Sequence, residues 1–189
     1  RVFFLDPGRK GRAREAELKE NVVKLWGDAS VEAEGTVTSA RLLTYDQKTG
    51  ALEARDGVQT VITPGAGQKG GPKLPSIGAG QVRETVYIHA ALLEAQKAGN
   101  HFTYSGNCRM VQGANTLSAA KFVWDGVKEI FRAEGKVGLI YFGRDSRGQE
   151  ARVEVRAKGM EYRAAGGDIG FEEKVTVMLN SSPSTFWVK

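Results

Sequence analysis

Ala40-Arg41-Leu42-Leu43-Thr44-Tyr45-Asp46-Gln47-Lys48-Thr49-Gly50-Ala51-Leu52-Glu53-Ala54-Arg55-Asp56-Gly57-Val58 decides the fold of this chain, because its pattern returns further along the sequence. The anchors are an alanine, an apolar residue three positions on, a bulky or apolar residue at five, and a Val-like residue at eighteen. Here they are Ala40, Leu43, Tyr45 and Val58. They recur without a gap as Ala90, Leu93, Ala95 and Cys108, as Ala119, Phe122, Trp124 and Val137, and as Ala157, Met160, Tyr162 and Val175. Self-similarity of this kind marks a stacked architecture, in which each unit buries its apolar face against the next.

The second half of each unit alternates. Counted from the alanine, positions 12, 14, 18 and 20 hold Leu52, Ala54, Val58 and Thr60 in the first unit and Phe102, Tyr104, Cys108 and Met110 in the second. The third has Phe131, Ala133, Val137 and Leu139, and the fourth Ile169, Phe171, Val175 and Val177. The residues between them are mostly charged or polar, so these are strands with one buried and one wet face. Position 16 breaks the apolar row with Asp56, Gly106, Gly135 and Glu173, the mark of a bulge or corner. The outgoing half changes parity as well: Ile88 and Ala90 share a face, yet the next apolar positions fall at three and five. Each unit is therefore expected to be a hairpin bent at a common height, and the fold class all-β.

Turn chemistry agrees. Asp46-Gln47-Lys48-Thr49-Gly50 and Ala164-Ala165-Gly166-Gly167-Asp168 stand at hairpin tips, and Asp125-Gly126 forms another turn. Ala16, Leu18 and Val22 match positions 12, 14 and 18 of a partial fifth unit. Pro64 to Gly80, with three prolines and six glycines, reads as a surface loop inside one domain spanning 1–189. Local propensity alone would place helices at Ala90–Lys97 and around Phe122 to Phe131. The shared register outweighs it, because propensity is a weak prior.

A chain of 189 residues with 41% hydrophobic content can bury a real core. No apolar run reaches the ~18 residues of a membrane-spanning helix. The chain opens on the strand-like run Arg1-Val2-Phe3-Phe4-Leu5, so an upstream export signal or membrane anchor is the expectation. A net charge of +5 favours an anionic partner only weakly. Its one local concentration, Arg9-Lys10-Gly11-Arg12-Ala13-Arg14, reads first as a solvated loop beside a strand. Cys108, the lone cysteine, fills a slot held by valine in the other units and reads as a small buried hydrophobe.

Signals for chemistry are few. His89 and His101 fit no metal-ligand spacing, so no metal and no cofactor is expected. Gly65-Ala66-Gly67-Gln68-Lys69-Gly70 spells G-x-G-x-x-G, but Gly71-Pro72-Lys73-Leu74-Pro75 follows where a dinucleotide site needs a helix. Asn180-Ser181-Ser182 is a glycosylation sequon of a kind common by chance. No nucleophile–base or carboxylate pair stands out, so no enzyme is expected. The strand aromatics belong to the inward set, which argues against a base-stacking platform and against nucleic acid as partner. They fit a packed core or a lipid groove.

Thr38-Ser39-Ala40, Tyr45-Asp46, Thr49 to Ala54 and Gly57-Val58 together resemble a repeat of the OstA-like family, the periplasmic lipopolysaccharide-transport proteins of the LptA and LptC type. Tyr104-Ser105-Gly106-Asn107-Cys108-Arg109-Met110-Val111-Gln112-Gly113 and Phe131-Arg132-Ala133-Glu134-Gly135-Lys136-Val137 resemble it too. The resemblance covers roughly residues 13–179 and rests on repetition. It implies a β-jellyroll, or β-taco: an open, V-shaped stack of antiparallel strands. It also implies a periplasmic, non-catalytic protein, either a soluble bridge or a subunit anchored to the inner membrane, that carries lipid A acyl chains inside the V. Partners would be other transport subunits or further copies, joined by edge-strand addition.

A bent sheet with one apolar face encloses a trough, and each methylene buried there contributes about 0.8 kcal/mol. The candidates for lining it are Leu52, Phe102, Tyr104, Met110, Phe122, Phe131, Val137, Leu139, Met160, Ile169, Phe171, Val175 and Val177. The candidate docking edges are the first strand, with Val2 and Phe4, and the last, with Val175, Val177 and Leu179. The competing expectation is a non-catalytic stacking module, such as an envelope scaffold or a phage tail component, with the same strands and a closed core.

Overall fold

The computed structural model describes residues 2–6, 9–33, 35–63, 84–96, 100–144, 150–179 and 182–184. The Pro/Gly stretch at 64–80 with its G-x-G-x-x-G run, and most of the sequon, lie outside the described residues. The chain forms β1 (Val2–Asp6), β2 (Arg9–Ala13), β3 (Glu15–Lys19), β4 (Val22–Ala33), β5 (Thr36–Asp46), β6 (Leu52–Ile62) and β7 (Val86–Gln96). It continues with β8 (His101–Gln112), β9 (Asn115–Asp125), β10 (Ile130–Arg144), β11 (Glu150–Arg163), β12 (Asp168–Glu172), β13 (Thr176–Leu179) and β14 (Ser182–Ser184). The fold is all-β, and neither window with helical propensity is helical among the described residues: 90–96 belong to β7, and 122–131 are the end of β9, a turn and the start of β10.

All of these strands join one sheet, antiparallel throughout and in sequence order from β1 to β14, with β3 and β12 added at the sides. The sheet does not close on itself. Consecutive repeats lie in register: Val58 pairs with Ala90, Cys108 with Ala119 and Val137 with Ala157. Position eighteen of one unit thus meets the alanine of the next. Likewise Ala54 pairs with Leu93, Tyr104 with Phe122 and Ala133 with Met160, so equivalent side chains form continuous rows across the strands.

The bulge line runs where the sequence puts it. Asp56, Gly106, Gly135 and Glu173 all have positive φ, and so do Gly57, Asn107 and Lys136 beside the first three. Two such residues on the return strand face one on the neighbouring outgoing strand, for example Asp56 and Gly57 between the pairs Arg55–Leu92 and Val58–Ala90. An extra residue at the same height in each hairpin bends the sheet along a line. One arm lies on the tip side of that line and the other beyond it.

The N-terminal hairpin corrects the sequence reading. The equivalents of positions 12, 14 and 18 are Val23, Leu25 and Ala29, paired with Tyr45, Leu43 and Ala40, rather than Ala16, Leu18 and Val22. Its own bulge is Gly27-Asp28, again with positive φ. Ala16 and Leu18 belong to the opposite strand, facing Leu25 and Val23. The turn is two residues shorter here: 19–22 lie between the paired Leu18 and Val23, against 46–51 between Tyr45 and Leu52. A fixed eighteen-residue register cannot find a hairpin with a shortened tip. The basic cluster is also not a loop, because Arg9 to Ala13 form β2.

Candidate functional site: the interior between the two arms

Five inward rows line the angle between the arms. The row at the corner is made of small residues, Ala29, Ala40, Val58, Ala90, Cys108, Ala119, Val137 and Ala157. Large side chains have no room where the arms converge, which explains the cysteine. On the tip side come the row with Leu43, Leu93, Tyr104, Phe122 and Met160, then the row with Tyr45, Leu52, Phe102, Trp124, Phe131 and Tyr162. On the far side come the row with Thr38, Thr60, Ile88, Met110, Leu117 and Leu139, then one that starts at Arg9 and includes Ile62, Val86, Gln112, Asn115 and Tyr141.

Two contacts show that the arms face each other across this space. Tyr104 Oη donates to Thr60 Oγ1 at 2.9 Å, and Thr60 Oγ1 lies 3.2 Å from Thr38 Oγ1. Nearer the mouth, the Arg9 guanidinium sits 4.6 Å above the Tyr45 ring. A cation over an aromatic face is held by the ring quadrupole. Arg9, which the sequence offered only as part of a solvated basic run, therefore reaches inward from β2.

In the middle of the sheet the interior is filled by the protein's own side chains. Phe102, Tyr104, Met110, Phe122, Phe131, Val137, Leu139 and Met160 are buried. Phe122 and Phe131 pack with ring centroids 5.5 Å apart, and Phe102 stacks on Trp124 at 6.3 Å. Burial pushes the Tyr104 phenol well above its ordinary pKa, so it stays a hydrogen-bond donor. It also pushes the Cys108 thiol up to about 11. Trp124, 1% exposed, is buried in the same row as Phe102 and Phe131, although it is not among the lining residues expected from the sequence. Its position-five place among the repeat anchors, paired with Phe102 and Phe131, is the signal that identifies it.

The packing loosens toward both ends. Toward the C-terminal end Phe171, Val175 and Val177 are only partly buried and Ile169 is 45% exposed; Leu52, on β6 well inside the sheet, is partly buried as well. At the opposite end Leu18, in the same row, is 65% exposed. β3 and β12 each pair on one side only among the described residues, with β4 and β11 respectively. β1, the strand carrying Val2 and Phe4, pairs only with β2 among the described residues. Val177 and Leu179 are not at the outer edge, because β14 pairs with them through Ser184 and Ser182. Val175 lies just before β13. The turns connecting the arms' strands are held by carboxylates: Asp46 Oδ1 accepts from the Lys48 and Thr49 amides at 2.8 and 3.0 Å, and Asp125 Oδ1 from those of Val127 and Lys128 at 3.1 Å.

A cleft of about 300 Å³ at the first bulge is lined by Arg12, Ala13, Arg14, Gly27 and Asp28. Its charges are engaged locally, Arg14 with Asp28 and Arg12 with Ser30, so it is not part of the apolar interior. His89 and His101 are on separate strands, and no group of three His, Cys, Asp or Glu side chains converges among the described residues. No helix among them is long and apolar enough to cross a membrane.

A bent, antiparallel sheet with free edges, two facing arms and a continuous apolar interior defines the open β-jellyroll class of protein. The solved structures that share this fold with the chain include the LptH crystal structure, described as the LptA homologous periplasmic component of the conserved lipopolysaccharide transport device from Pseudomonas aeruginosa. The TM-score is 0.52 at 16% sequence identity, over 67% of this chain and 81% of that one. No family model matches the chain, and no curated protein sequence matches it. The chain thus has the LptA-like β-jellyroll fold that the OstA-like resemblance implied.

Proposed function

We propose that this protein is a periplasmic lipopolysaccharide-transport component that shields lipid acyl chains between the two arms. The observation that carries the reading is the set of largely apolar inward rows, most strongly apolar on the tip side and at the corner, in a sheet that stays open at its edges. The fold it shares with LptH, a periplasmic component of a lipopolysaccharide transport device, supports the same role. Acyl chains displace the facing side chains and occupy the space lined by Leu52, Phe102, Tyr104, Met110, Phe122, Phe131, Val137, Leu139, Met160, Ile169, Phe171, Val175 and Val177. Sugars and phosphates remain outside. A chain of about a dozen methylenes gains on the order of 10 kcal/mol from burial before ordering costs. Lipid passes along the rows without covalent chemistry. Neighbouring subunits, either other transport proteins or further copies, extend the rows by adding strands at the two ends.

The filled middle of the interior favours one competing reading, a stacking module that never opens. Photo-crosslinking groups at Phe102, Phe131 and Phe171, with Arg132 on the outward face as control, separate the two. Capture of lipopolysaccharide from the inward positions supports transport. Crosslinks confined to Arg132, together with lipid-free protein in mass spectra of envelope extracts, support the scaffold.

A further inference from the structure

Trp124 carries a polar atom that the packed interior does not satisfy. The residue is 1% exposed and stacks on Phe102, with ring planes 21° apart, yet its indole Nε1–H has no acceptor among the described residues. Trp26 makes the contrast: its Nε1–H donates to Glu15 Oε2 at 2.7 Å on the surface. Buried indole N–H groups ordinarily find a partner, and one left without is a place to look for a function.

Position in the fold narrows what the missing acceptor is. Trp124 stands in the outermost inward row of the tip-side arm, the row that also holds Tyr45 and Phe131. The Arg9–Tyr45 contact shows that this row meets the outermost row of the other arm, so it borders the mouth of the V. That opposing row carries the buried polar side chains Gln112 and Asn115. An acylated lipid whose chains lie inside and whose headgroup lies outside has its carbonyls at that border, next to the headgroup. Tryptophan suits such a boundary, with an apolar body and one donor.

We infer that the Trp124 Nε1–H is a recognition donor for the ester or amide carbonyl of a bound acyl chain. The inference rests on the lipid-carrier reading above and adds to it a preference for acyl over alkyl linkages. Phe102, stacked on the indole, holds the ring in place. The carbonyl, once bound, supplies the acceptor that the packed interior lacks, so binding the correct linkage removes an unmet hydrogen bond.

The test compares dilauroyl phosphatidylglycerol with its ether-linked twin, which has the same chains and headgroup and no carbonyl. Affinities are read by displacement of an apolar fluorescent probe from the folded protein. The wild type should bind the ester about fivefold more tightly, as expected for one net hydrogen bond. Trp124→Phe should bind the two equally. In ¹⁵N-labelled wild type, the indole N–H resonance lost in Trp124→Phe should move downfield with the ester and not with the ether. That measurement needs no altered protein during binding. Equal wild-type affinity for both lipids, or a preference that survives Trp124→Phe, overturns the inference and leaves the carrier reading standing. Failure of both lipids to bind overturns the two together.

Discussion

The Tyr104 hydroxyl donates to Thr60 Oγ1 at 2.9 Å, and the two residues stand on opposite arms of the bent sheet. Forty-four positions apart in sequence, they close the interior with a polar latch inside an otherwise apolar space. Removing the donor by Tyr104→Phe loses one net hydrogen bond, about 1 kcal/mol. Thr60→Val keeps the volume but leaves the Tyr104 hydroxyl buried without its partner, which costs about 1–3 kcal/mol. Chemical denaturation should therefore rank Thr60→Val as the more harmful, with the double variant less destabilised than the sum of the singles. Strict additivity would show that the bond contributes nothing across the arms.

The bulge line makes a second expectation sharp, because its glycines differ in surroundings. Gly57 and Gly106 both have positive φ, +74° and +85°. A Cβ added at Gly57 meets nothing within 4 Å, whereas one at Gly106 falls 2.6 Å from the Ala91 Cβ. Gly57→Ala should cost only the left-handed backbone penalty, about 1–2 kcal/mol. Gly106→Ala should cost clearly more, because Ala91 on the paired strand has to move. Equal losses of stability for the two would mean that the hairpins can shift at the bulge.

Cys108 offers a probe of how tightly the corner row closes. Its side chain is buried among alanines and valines, its Sγ lies 3.5 Å from the Ala120 carbonyl oxygen, and burial pushes its thiol up to about 11. At pH 8 the native protein should react with an aromatic disulfide reagent more than roughly 100-fold slower than the denatured chain, since attack requires the thiolate and access. Cys108→Ser should retain the fold, whereas Cys108→Phe should not, for lack of space at the corner. Rapid labelling of native protein would contradict the packed corner.

Much of this arrangement is legible in the sequence because the bulge writes itself into residue types. Asp56, Gly106, Gly135 and Glu173 recur at one position, and the parity change around them is visible without any structure. The first hairpin escaped because its tip is shorter by two residues, so Val23, Leu25 and Ala29, which keep the return-strand spacing among themselves, stand two positions too close to the outgoing Ala16 and Leu18. Arg9 escaped for a different reason: inside a run of basic residues, alternation of charge cannot show which one turns inward over Tyr45. Which rows face each other across the angle is a property of the bend, and sequence spacing carries no information about it. Hence the Tyr104–Thr60 pair was not to be had from the repeat.

Acid should loosen the hairpin tips first. The Thr49 amide above all, aided by that of Lys48, holds the Asp46 carboxyl below its ordinary pKa, and the Lys128 amide does the same for Asp125. The native state thus keeps these carboxylates charged at a pH where the unfolded chain, with carboxyl pKa values of about 3.9, takes up protons. Their contribution is complete above about pH 4 and is lost as pH falls through the depressed native values. Asp46→Asn and Asp125→Asn retain an oxygen acceptor for the turn amides but no longer titrate. Melting temperature followed from neutral pH downward should fall less steeply for the double variant than for wild type in the acid range. Parallel curves would place the acid sensitivity elsewhere, for instance in Glu154 and Glu161, whose carboxyls are likewise lowered by hydrogen bonds from Arg156 and Arg163 respectively.

The exposed inward residues at the two ends bear on how copies meet. Leu18 on β3 and Ile169 on β12 lie in the same interior row, at opposite ends, on strands with one unpaired side among the described residues. Joining β12 of one copy to β3 of the next continues both the hydrogen-bond ladder and the apolar row, which is the arrangement a lipid conduit requires. Leu18→Glu and Ile169→Lys place a charge in that junction while changing the isolated fold little, within about 0.5 kcal/mol as for other exposed positions. Each variant alone should shift self-association, measured by sedimentation, to at least tenfold higher concentration. Mixing the two should restore one junction per pair, because Glu at position 18 of one copy then faces Lys at position 169 of another. The mixture should grow into alternating oligomers, since the remaining ends carry the unaltered Ile169 and Leu18 and join as in the wild type. Long oligomers from either variant alone would show that copies meet through β1 or β14 instead.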